Sequence, residues 1–244
     1  MNKLTIAVIA LLGAMNSAQA HQIWIEQADG QTAVVRFGEF GDNLREASPG
    51  LLDKFSKVTA TLLSPKGEQS AEAGKTATGF TLPFAAKPGD GIVAQDANYP
   101  LYTFKQQDKE NRNWFFPAAR LITGFAAQPP KLVLDLVPTG KDGQFKLVFK
   151  DQPKPKTKVT LVTQSGWAKE AHTDAQGLVS FEMPWQGVYV AEVSFTDRTP
   201  GERAGASGAE KYDAVVYGTT LTYLKADGLA PIPAGPAAAP TPPK

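Results

Sequence analysis

Short runs of alternating apolar and polar residues, each closed by Gly, Pro, Asp or Asn, constrain this chain more than any other feature. Leu178 to Met183 shows the pattern: Val179, Phe181 and Met183 point one way, Ser180 and Glu182 the other. A period of two is the signature of a half-buried strand, and no amphipathic helix can be laid over it. Similar runs occupy Gln22–Glu26, Thr32–Phe37, Val58–Ser64, Gly79–Phe84, Gly91–Gln95, Tyr99–Phe104 and Trp114–Thr123. After Gln128-Pro129-Pro130 they resume at Leu132–Val137, Gln144–Lys150, Lys158–Thr163, Gly166–His172, Leu178–Met183, Gly187–Phe195 and Tyr212–Leu224. Asp29-Gly30, Lys141-Asp142-Gly143 and Asp174-Ala175-Gln176-Gly177 supply turns between them. The expected fold is all-β, with two β-sandwich domains over 21–127 and 131–224 and the second of immunoglobulin-like design.

Several stretches interrupt the pattern. Leu51–Phe55 reads as one helical turn, and Gly38–Asn43 as an acidic, glycine-spaced loop. The charged run Lys105–Asn113 reads as a solvated hairpin loop, and Pro117 marks Trp114–Thr123 as an edge or irregular strand. Thr199–Glu210, rich in Gly, Ala and Ser, reads as a mobile loop. The strand Tyr212–Leu224 is long enough to return and pair with the first domain. Residues 225–244 carry much proline and no apolar period, so a disordered, polyproline-like tail is expected there.

Composition narrows the function. Residues 1–20 join Lys3, an apolar run from Leu4 to Ala14 and the small-x-small site Ala18-Gln19-Ala20, which reads as a secretory signal peptide cut after Ala20. The expected location is therefore the periplasm, with no membrane insertion of the mature chain. The 25 basic and 24 acidic residues nearly cancel, which argues against nucleic acid as a partner. There is no cysteine, so disulfides, thiolate metal sites and thiol catalysis are excluded.

Cleavage after Ala20 would make His21 the first residue. Its free α-amine and its imidazole could then chelate one metal ion. The only other histidine is His172. Beside Thr173-Asp174 it reads either as a turn-flanking surface residue or as a third nitrogen for the same ion. Such a nitrogen set suits copper or nickel. Glu39 and Asp42 lie where a loop could reach a metal or stay solvated. Glu26 is a poor candidate, since five residues of strand span ~16 Å and odd spacing turns it to the opposite face. No nucleophile elbow, phosphate loop or paired-histidine helix motif is present.

Three segments carry a resemblance: H-Q-I-W-I-E at 21–26, T-D-A-Q-G-L-V-S-F-E-M-P-W-Q-G-V-Y-V-A-E at 173–192, and Y-D-A-V-V-Y-G-T-T-L-T-Y at 212–223. Together they resemble a bacterial exported family of unknown function often labelled NikM-like, after periplasmic components of nickel and cobalt uptake. The middle segment also looks like the turn-and-strand signature of transthyretin-like modules. The resemblance implies a soluble periplasmic metal-binding protein, with a metal transporter or outer-membrane receptor as partner. Two other classes stay open from the residues alone: a copper-dependent oxidoreductase of histidine-brace type, and a metal-free adhesion or interaction module.

Overall fold

The computed structural model describes residues 21–28, 30–106, 109–205 and 208–242. The expected leader, residues 1–20, lies outside the described residues. Strands dominate, and the one helical element among the described residues is a 3₁₀ turn at Leu51–Lys54. No helix in them is long and apolar enough to cross a membrane.

Three layers build the body. The middle layer is a nine-stranded sheet. Its strands run in the order Ala168–His172, Lys158–Thr163, Gly187–Asp197, Ala214–Lys225, Lys109–Ile122, Gly91–Gln95, Thr59–Ser64, Gly67–Glu72, with Leu101–Gln106 also paired to Lys109–Ile122. One outer sheet starts with the hairpin Gln22–Glu26 and Val34–Glu39 and continues through Gly79–Thr81 to Gly74–Thr76. The other outer sheet is formed by Leu134–Pro138, Gln144–Phe149, Gln152–Pro153 and Leu178–Ser180.

Alternation along each strand fills the space between layers. Ile23, Ile25, Val35 and Phe37 meet Ala60, Ile92, Ala119 and Leu121 in a first core. Leu134, Leu136, Phe145 and Leu147 meet Leu161, Tyr189, Ala191 and Leu221 in a second. Val179, Phe181 and Met183 all join the second core, as their spacing predicts. Trp24, on the opposite face of its strand from Ile23 and Ile25, is also buried, because Phe40, Val162 and Val190 cover it.

Both the middle sheet and the second core cross the boundary expected at Gln128–Pro130, since Phe116 and Ile122, which precede it, belong to that core. Strand Lys109–Ile122 pairs in parallel with Ala214–Lys225 from Asn113↔Ala214 to Ile122↔Tyr223, so the middle sheet runs through both halves.

Three local expectations are corrected. Pro117 lies inside the middle sheet rather than at an edge. The antiparallel partner of its strand changes from Leu101–Gln106, ending at Trp114↔Leu101, to Gly91–Gln95, starting at Ala118↔Gln95. Pro117 sits in the gap, where the missing N–H interrupts neither ladder. Much of the charged run 105–113 is paired strand, as Lys105↔Glu110 and Arg112↔Thr103 show. Gly201–Gly205 and Gly208–Tyr212 form a hairpin rather than a loop, supported by Arg203, which donates to the carbonyl of Tyr99 at 2.7 Å.

The expectation of an undocked tail is corrected too. Leu229 N donates to Pro184 O and Gln186 N to Leu229 O, each at 2.9 Å. Further along, Asn43 Nδ2 donates to Gly235 O at 2.9 Å and Ala238 N to Asn43 O at 3.3 Å. A proline-rich stretch has no ladder of its own, so its carbonyls and remaining amides are free to bond to the body.

Candidate functional site around His21

Pairing in the first hairpin places His21. The register Gln22↔Gly38 continues one step back, so His21 comes opposite Glu39. A second carboxylate arrives from the short strand Leu44–Arg45, which pairs with Gly38 and Glu39. Gly38 makes that return possible. Its φ of 144° is open to glycine, and a Cβ there would collide with the Leu44 carbonyl. Glu46 N donates to Phe37 O at 2.8 Å and fixes the next residue.

The imidazole thus lies between two carboxyl groups. His21 Nε2 is 2.6 Å from Glu46 Oε1, and Nδ1 is 3.2 Å from Glu39 Oε1. The His21 side chain is 25 % exposed, whereas that of Glu46 is fully buried. The ring tilts against Phe37 with centroids 5.3 Å apart. Glu46 also accepts from Thr241, whose N–H reaches Oε2 at 2.9 Å and whose hydroxyl reaches Oε1 at 2.7 Å. Burial pushes the Glu46 carboxyl up, but the bonds from Thr241 and His21 outweigh it and hold the group below the usual carboxylate range. Glu39 goes the other way. Burial and a hydrogen bond with Asp42 raise its carboxyl, only partly offset by His21.

Beside this cluster runs a cleft of about 470 Å³, lined by Gln22, Glu39, Asp42, Lys158, Glu170 and Glu192 among others. Burial, with the charges of Glu39 and Asp42, pushes the Glu192 carboxyl up to about 7.

The two predicted metal ligands do not share a site. His172 ends the edge strand Ala168–His172, exposed and opposite Lys158. Among the described residues, no hydrogen bond, ion pair or ring contact joins it to His21, and no three His, Cys, Asp or Glu side chains stand ready-made around an ion-sized gap. Glu26 is a structural ion-pair residue. Arg36, Arg45 and the Trp24 indole all donate to it. Glu46 carried no signal in the sequence. It sits in the short stretch Arg45-Glu46-Ala47-Ser48, and only the folded return of the chain buries it.

The fold and the site therefore define an all-β protein with a half-buried histidine held between acidic side chains. No protein-family model matches the chain, and no curated protein matches it.

Proposed function

We propose that the protein is an exported, periplasmic metal-binding protein that holds copper or nickel through His21 and passes it on in metal uptake or homeostasis. The observation that carries this reading is the His21 imidazole fixed between Glu39 and Glu46. Removal of residues 1–20 would add the α-amine, which closes a chelate ring with Nδ1, the nitrogen facing Glu39, giving two nitrogens and one carboxylate, while Glu46 on Nε2 orients the ring. That mixed set suits Cu(II) or Ni(II). The resemblance to the NikM-like exported family supports the same class and suggests a transporter or outer-membrane receptor as partner. The histidine-brace oxidoreductase is the weaker reading, since it needs a second imidazole on the ion and His172 has no described contact with His21.

The test is a titration of Cu(II) and Ni(II) into protein that begins at His21. A form extended by one residue converts the amine to an amide, and we expect it to bind at least about tenfold more weakly. His21→Ala should lose most binding, Glu46→Gln should lose roughly tenfold, and His172→Ala should bind like the parent. Equal affinity of the extended and parent forms would remove the terminal amine from the site.

A further inference from the structure

We propose that the groove at the turn end of the hairpin Gln22–Glu26 and Val34–Glu39 binds an amphipathic anion, of which a medium-length alkyl carboxylate is the simplest form. The groove is separate from the His21 cluster, and the inference goes beyond the metal reading without depending on it.

The middle sheet supplies an apolar wall. Thr220 donates its hydroxyl to Ile23 O at 2.8 Å and seats the hairpin on strand Ala214–Lys225. Thr222 and Leu224 follow at steps of two, so they turn to the same side and line the groove. Val188 stands opposite Leu224 in the register, and Leu121 opposite Thr222. Leu224 is 49 % exposed, unusual for a large apolar side chain in this fold. Ile232 is exposed close by, since Gln164 and Val188 line both this groove and the neighbouring one that holds Ile232. Exposed apolar surface rimmed by polar groups marks a place where something binds.

The hairpin supplies the charged wall. Glu26, Arg36 and Arg45 are the only charged side chains among the described residues that line the groove. Both guanidiniums share the one carboxylate. Burial pushes the Glu26 carboxyl up, but the bonds from Arg45, Trp24 and Arg36 outweigh it and keep the group ionised. One positive charge is therefore in excess. Arg45 uses all three nitrogens on Glu26 and Asn43. Arg36 gives Nε to Glu26 and Nη1 to Thr78, and its Nη2 has no partner among the described residues. That nitrogen can donate a charge-assisted bond to an anionic head while the chain lies on Val188 and Leu224. The volume, about 540 Å³, falls in the range of small-molecule sites. The cleft beside His21 has the opposite sign, with Glu39, Asp42, Glu170 and Glu192 against Lys158 alone, so an anion is directed to this groove and away from that one.

The experiment titrates decanoate, kept below its micelle-forming concentration, into the chain beginning at His21 and reads binding by calorimetry. We expect one molecule per chain, with dodecanoate binding roughly tenfold more tightly for its two extra carbons. Decyltrimethylammonium, the same chain with the opposite charge, should bind at least about tenfold more weakly than decanoate. Arg36→Gln removes the unused donor but leaves Arg45 and Trp24 on Glu26, and it should weaken decanoate by about tenfold or more. Leu224→Glu places a like charge at an exposed position and should weaken it by at least as much, which keeps the test open should Arg36→Gln fold poorly. Equal binding of the two decyl probes, parent-like affinity in either folded variant, or no binding of decanoate would each overturn the inference.

Discussion

Glu192 shows how one side chain can carry a cost that the rest of the fold supports. It faces the cleft from strand Gly187–Asp197, opposite Thr160, with burial and then the charges of Glu39 and Asp42 raising its carboxyl and Lys158 and Glu170 also lining the space. Its ordinary value of 4.5 rises to about 7 in the fold. Between those values the native protein holds a proton that the unfolded chain releases, so this group's contribution to stability falls as pH rises through that window. Glu192→Gln should therefore stabilise the protein by roughly 2 kcal/mol at pH 8 and by almost nothing at pH 4. Denaturant titrations at the two pH values check this, and an equal effect at both would mean that charge is not the cause. His21 was legible as a candidate because histidine is rare in this chain and follows the expected cleavage site. Glu46 and Glu192 were not, since their roles come from burial and from carboxylates on distant strands.

At the scale of elements, the sequence marks where strands stop but not whether the connection between them is free. Gln128-Pro129-Pro130 reads as a linker, yet the fully buried pair Arg120 and Asp135 ties it down. Arg120 donates to both Asp135 oxygens at 3.0 and 2.6 Å, to the Gln128 side chain at 2.7 Å and to Pro129 O at 3.3 Å. Asp135 accepts in addition from the amides of Lys131 and Leu132. Removing one partner strands the other charge in the interior, so Asp135→Ala should cost about 3–5 kcal/mol. The double variant Arg120→Met, Asp135→Leu should recover a large part of that loss. A double variant as unstable as Asp135→Ala would show that the bonds to the linker, rather than the unpaired charge, dominate. Pro117 teaches the complementary lesson. Proline does signal a break in a ladder, but local sequence cannot show that the break is a change of partner strand inside a sheet.

Contacts distant in sequence decide how the whole molecule behaves. The all-β class was legible because alternation is a local property, and so was the reach of a strand as long as 212–224 back to the first half. Its parallel register with Lys109–Ile122 was not, since those strands lie about a hundred residues apart and nothing local encodes their offset. That pairing joins the two cores mechanically. Strand Lys109–Ile122 contributes Ala119 and Leu121 to the first core and Phe116 and Ile122 to the second. A chain cut at the boundary would leave Ala214–Lys225 without this neighbour and the second core without Phe116 and Ile122. The protein should consequently unfold in one cooperative transition, with calorimetric and van't Hoff enthalpies equal. Leu147→Ala tests the coupling from one side. Leu147 is fully buried in the second core, and its truncation should cost about 2–5 kcal/mol. If the cores unfold together, hydrogen exchange across Gly91–Gln95, on the wall of the first core, should lose the same free energy of protection. Protection unchanged there, with the second core weakened, would mean that the shared sheet divides into two independently opening units.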